Sequence, residues 1–184
     1  MRSQGARFMN ALHTLYIVSH PLRVSRYGAH TSLSSAERVE IIDALSDSCT
    51  TGVKILTQLK QARQQMEKVS FLPVKQLLHR LVKANIDYVD FLILRITDLG
   101  GYAEAETLHR LYDVRDTKRF PECIQGIHLE TERLFALDAL LRDCYERAIA
   151  HRDTASEQFF KACVQQNKLF ISLIEDNLLN DWPL

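Results

Sequence analysis

The side chains best suited to chemistry crowd onto one stretch of the chain, where Lys75, His79, Asp87 and Asp90 follow one another at near-helical spacing. An imidazole with one or two carboxylates is a donor set that iron or zinc accepts, so His79 with Asp87 or Asp90 is a candidate surface metal site. The competing reading is that His79, Asp87 and Lys75 are simply solvated, as charged residues on helices usually are. Asp90 is different. It sits in YVDFLILRI, apolar on nearly every side, so it is either buried with a partner or on a face that meets another subunit. Arg63 lies between Leu59 and Met66 on an apolar seam, and such a cation must reach an exposed end or find a carboxylate. His109, His128 and His151 are separated along the chain. Cys49, Cys123, Cys144 and Cys163 show no CxxC spacing and are read as small buried thiols rather than redox or zinc groups.

Long helices must position these groups. FLPVKQLLHRLVKANIDYVDFLILRITDLGG, from Phe71 to Gly101, carries a buried stripe of Phe71, Val74, Leu78, Leu81, Asn85, Tyr88, Leu92, Ile96 and Leu99. Pro73 fits its first turn, and Gly100 and Gly101 supply a left-handed stop. An earlier helix opens at Ser34, where Ser34-x-x-Glu37 has the form of a capping box. Its seam runs through Ile42, Leu45, Cys49, Gly52, Leu56, Leu59 and Met66, with Gly52 placed to admit a neighbouring helix closely. A third helix spans Phe120 to Ala150 on Ile124, Ile127, Leu134, Leu137, Leu141, Cys144 and Ala148. A fourth starts at Asp153-x-x-Ser156 or Thr154-x-x-Glu157 and runs to about Asn177. Between the second and third, Ala103 to Val114 reads as a short helix inside a long connection, and Trp182 and Pro183 end an apolar tail that can dock on a neighbour.

The expected fold class is therefore all-α: a ferritin-like four-helix bundle with one long crossover carrying a short helix, over 33–184, preceded by a basic arm over 1–32. The net charge of zero conceals that arm. Up to Ala36 there are four arginines, Arg2, Arg7, Arg23 and Arg26, and no acid, so the remainder carries minus four. Phe8, Leu12, Leu15, Tyr16 and Val18 suggest a short amphipathic helix in it. Three roles compete for the arm: a docked assembly or lid segment, an electrostatic arm for DNA, or a cleaved organellar transit peptide. No apolar run approaches the roughly 20 residues of a membrane span, and no secretory signal is evident. A cytoplasmic or nucleoid-associated protein is expected, or an organellar one if the arm is a transit peptide.

Three passages narrow the bundle further. RITDLGGYAEAETLHRLYDV resembles the end of the second helix and the short connecting helix of the Dps proteins, the mini-ferritins that protect DNA in starved bacteria. SLSSAERVEIIDAL resembles the start of their first helix, and AIAHRDTASEQFFKACVQQNKLFISLIEDNL their final turn and last helix. The resemblance covers about Ser32 to Leu178. It implies a hollow dodecamer with iron oxidised by peroxide at a site shared across a two-fold axis.

Carried over without gaps, the family's ligand positions fall on Arg63, Lys75, His79, Asp90 and Leu94, of which Asp90 alone keeps the family identity. His79 can still be a ligand. Arg63 and Lys75 are cations without a free lone pair, and Leu94 removes a carboxylate. The paired Glu-x-x-His motifs of the other ferritin-type centre are not present. The resemblance thus implies a dismantled ferroxidase centre in which Arg63 or Lys75 neutralises Asp90 across the interface in place of the metal. No cofactor is expected, with iron or zinc the open alternative. The leading functional expectation is a non-catalytic shell subunit acting in DNA protection or as a structural or iron-storage-type particle, alone or with an active paralogue. The alternatives are an active peroxide-dependent ferroxidase with an altered ligand set, and a helical-bundle interaction module.

Overall fold

The computed structural model describes residues 33–67, 69, 71–102 and 118–179. Its helices are α1 (Ser35–Met66), α2 (Leu72–Asp98), α3 (Phe120–Ala150) and α4 (Thr154–Ile174), the last continued by a π-helical turn, Glu175–Leu179. Local chemistry sets their ends. Ser34 caps α1 through the expected reciprocal pair: Glu37 N donates to Ser34 Oγ at 3.3 Å, and Ser34 N donates to Glu37 Oε2 at 2.9 Å. Pro73 lies in the first turn of α2. At its far end Gly101 N donates to the Ile96 carbonyl and Gly100 N to that of Thr97, with Gly100 at φ 80°. This Schellman closure needs a left-handed residue, which glycine supplies without a Cβ clash. The end of α3 uses the same pair of bonds, from Asp153 N to Ala148 O and from Arg152 N to Ile149 O, but places Arg152 at φ 55°. A side chain there costs about 1 to 2 kcal/mol, so α3 stops less favourably than α2. Asp153 then caps α4, its Oδ1 accepting from Ser156 N at 3.1 Å.

Side-chain contacts fix the topology. Arg38 Nη1 reaches the Leu99 carbonyl at 3.4 Å, so the start of α1 lies at the end of α2; Cys123 Sγ lies 3.9 Å from Gln61 Oε1, so the start of α3 lies at the end of α1. Both α2 and α3 therefore run antiparallel to α1 and parallel to each other. The end of α2 and the start of α3 therefore lie at opposite ends of the bundle, about 40 Å apart for a 27-residue helix at the helical rise, which is the separation a long crossover bridges. Helix α4 packs on α2 and α3, with Tyr88 reaching Asn167 and Arg95 lying over Phe159.

The core is the four apolar stripes turned inward. Leu45, Leu56, Leu59, Leu78, Leu81, Leu92, Ile127, Leu134 and Phe160 have almost no exposed surface. Gly52 works as its place on the seam implies: a Cβ there would stand 2.9 Å from Val89 Cγ2, so the glycine lets α1 and α2 approach. All four cysteines are buried and unpaired by disulfides. Burial pushes the Cys49 thiol up to about 11, helped by the Asp90 charge, and that of Cys163 up to about 12.

Some expectations need correction. Phe71 is not in the core but 57% exposed, because it precedes the first turn of α2 and α1 has already ended at Met66. The α-helical part of α4 ends at Ile174 rather than near Asn177, where the π-helical turn takes over. Of the two start signals offered for it, Asp153-x-x-Ser156 is the one used, with Asp153 as N-cap. The arm, the Ala103 to Val114 helix and the Trp182 tail lie outside the described residues. Among those residues no helix is long and apolar enough to cross a membrane.

Candidate functional site

On α2, successive side chains turn by about 100°, which brings Leu72, His79, Lys83, Ile86, Asp90 and Leu94 to one face. All six are exposed in the single chain. Asp90 is thus exposed in the single chain rather than buried with an internal partner. Beside it, Ile86 is 40% and Leu94 51% exposed on a helix whose opposite face is fully buried.

The two halves of the candidate site stand apart along this face. His79 and Asp90 are separated by eleven residues, about 16 Å of helix. Because Gly52 packs against Tyr88 and Val89, the antiparallel register puts Arg63 level with Lys75 and His79. One chain therefore gathers Arg63, Lys75 and His79 at one end of the face and Asp90 with Leu94 at the other. Among the described residues of one chain, no three His, Cys, Asp or Glu side chains converge as a metal site would require. His128 pairs instead with Glu132 on α3, at 3.6 Å.

Each cation is accommodated differently. Arg63 is half-buried in the last turn of α1, the exposed end that its place on the seam demanded. Lys75 is not simply solvated: it is half-buried, and its Nζ donates to the Glu67 carbonyl at 2.8 Å, closing the α1–α2 connection. His79 and Asp87 are exposed. As a receptor for a hard metal this set does not fit, since a guanidinium and an ammonium offer no lone pair and Leu94 offers no donor. Arg2, Arg7, Arg23 and Arg26 lie outside the described residues.

Several polar groups in the bundle were not evident in the sequence as a set. Tyr88 Oη donates to Asn167 Oδ1 at 2.7 Å, while Asn167 Nδ2 donates to the Leu134 carbonyl at 3.4 Å and to Asp138 Oδ1 at 3.3 Å. Tyr88 also stacks on Phe170, with ring centroids 4.2 Å apart. Burial, the largest cause, holds the Tyr88 phenol well above its usual range. On α1, burial and the nearby Asp47 charge push the Asp43 carboxyl up to about 6. Folded Asp43 therefore holds its proton more tightly than the unfolded chain does, a contribution present below the unfolded value near 4 and lost as pH rises through 6. Asp43→Asn should raise stability at pH 7 by about 1 kcal/mol after allowance for solvent screening, and the gain should vanish near pH 4. Urea titrations of both proteins at the two pH values check this.

The arrangement is that of a Dps-like ferritin fold. An archaeal Dps homologue from Halobacterium salinarum superposes with a TM-score of 0.53 at 20% identity, over 89% of this chain and 97% of that one. No family model matches the sequence, and no curated protein matches it by sequence.

Proposed function

We propose that this chain is a shell subunit of the mini-ferritin kind that assembles with copies of itself through the exposed face of α2 and does not oxidise iron there. The observation that carries the reading is the pairing of uncovered Ile86 and Leu94 with Asp90 on one face, about three turns from Arg63, Lys75 and His79. A two-fold partner crossing antiparallel near Lys83 would bring Asp90 of one chain toward the cationic end of the other. Charge is then balanced by side chains, where a working centre of this family would have a metal. Residues that cannot ligate do not make a centre, so no chemical step is assigned to the site. Light scattering is the test: particles many times the 21.2 kDa of the chain support a shell, whereas a monomer would favour a helical interaction module.

DNA association through the arm is the finer part of this reading. Four arginines without an acid neutralise at most about four phosphates, so the logarithm of affinity should fall with that of salt at a slope of about −3 to −4. Binding that persists after deletion of the residues before Ser32, or that ignores salt, removes the arm from the account.

A further inference from the structure

We propose that the outer face of α3 carries half of a zinc(II) site, His128 with Glu132, which a second copy of the chain completes by packing on that face. His128 Nε2 stands 3.6 Å from Glu132 Oε1, one helical turn apart, with the two side chains 44% and 61% exposed. Two donors held at about 2.1 Å by a tetrahedral zinc lie about 3.4 Å from each other, so this pair can share an ion with almost no movement. One chain stops there. Zinc takes three or four protein donors, and among the described residues no third His, Cys, Asp or Glu joins the pair. Glu122, on the rim of the same hollow, is held by Arg119 at 2.7 Å. The missing donors must come from another chain.

The shape of the face selects a second copy as the source. Gln125, His128, Leu129 and Glu132 stand at i, i+3, i+4 and i+7, the diamond that receives a knob from a facing helix, and Glu122, Gln125, Gly126 and Leu129 form the next one. These six residues line an open hollow of about 360 Å³, widened where Gly126 has no side chain. Helices α1 and α4, on which α3 packs, lie on its buried side. The knob is on the same face: Leu129 is 55% exposed. Knob and holes within one turn of each other make the surface self-complementary, so a copy running antiparallel about a two-fold axis seats each Leu129 in the other's hole. Taking the centre of either diamond, that axis passes within about one residue of His128. Both imidazoles then meet on one side of the contact, each with its Glu132, and the four donors can close around one ion.

Zinc(II) titration of the full chain, read by calorimetry, tests the proposal. Wild type should take up about one zinc per two chains more than His128→Ala does, a difference that zinc bound elsewhere on the chain does not affect. His79→Ala, on the other exposed face, should bind as wild type does. Sedimentation is run on the chain carrying Ile86→Glu and Leu94→Glu, which keeps any α2 contact out of the reading. Its mass should double with zinc, and Leu129→Ser, which keeps both donors and shortens the knob, should raise the zinc needed by about tenfold. Failure of the α2 assembly would leave these results unchanged. Equal uptake by wild type and His128→Ala, or one zinc per chain with no change in mass, would overturn the shared site.

Discussion

If the proposed shell forms, Ile86→Glu combined with Leu94→Glu is expected to break it into much smaller species while the bundle itself keeps its melting temperature. Both side chains are exposed in the single chain, so neither change disturbs the core. In a two-fold interface each would be covered, and its partner's copy would lie close by. Burying unpaired carboxylates costs several kcal/mol per ion, and the symmetry doubles every loss, which exceeds what a standard interface retains as net affinity. Light scattering at matched concentration reads the result. If the double variant assembles as the wild type does, the α2 face is not the contact.

Asn85→Leu is expected to stabilise the fold. Asn85 has no exposed surface, and neither its Oδ1 nor its Nδ2 has a hydrogen-bond partner among the described residues. An unsatisfied buried amide costs about 1 to 3 kcal/mol, and an apolar side chain of similar branching removes that cost while gaining packing. A gain of about 2 kcal/mol should raise the melting temperature by about 5 °C in a domain of this size. Asn167→Leu provides the contrast. Asn167 is equally buried, but it accepts from Tyr88 and donates to the Leu134 carbonyl, so its loss strands the Tyr88 hydroxyl and should lower the melting temperature. A fall for Asn85→Leu would mean that the amide has a role in the bundle beyond its missing partners.

The two asparagines also show where the sequence stops being readable. Both fall on apolar stripes at the same helical spacing, and nothing local separates the satisfied one from the orphan. That distinction depends on which residue of another helix stands opposite, a property of the packing. Arg38 is a similar case, since its reach to the Leu99 carbonyl spans 61 positions and caps a helix that its own neighbourhood does not mention. What the sequence did declare was local chemistry. The Ser34 and Asp153 caps, the glycine stop at Gly100 and the limits of α3 at Phe120 and Ala150 all sit where hydrogen-bonding needs at helix ends placed them. The topology followed from helix lengths and one long connection. Lys75 shows the intermediate case: its spacing put it in line with His79, but only the fold revealed that its ammonium is tied to Glu67.

The candidate site was legible as a list of residue types and not as a place. Asp90 among apolar neighbours gave two readings, and the fold removed one of them by leaving Asp90 exposed beside Ile86 and Leu94. A site completed by a second copy, as proposed, would leave this ambiguity in any single chain.

On the proposed reading, Arg63, Lys75 and Leu94 leave this face without metal chemistry. Anaerobic addition of Fe(II) to the full-length protein, followed by peroxide, tests it by the absorbance of oxidised iron. The expected rate equals that of iron in buffer and is unchanged by Asp90→Asn. Accelerated oxidation that is lost in Asp90→Asn would contradict it.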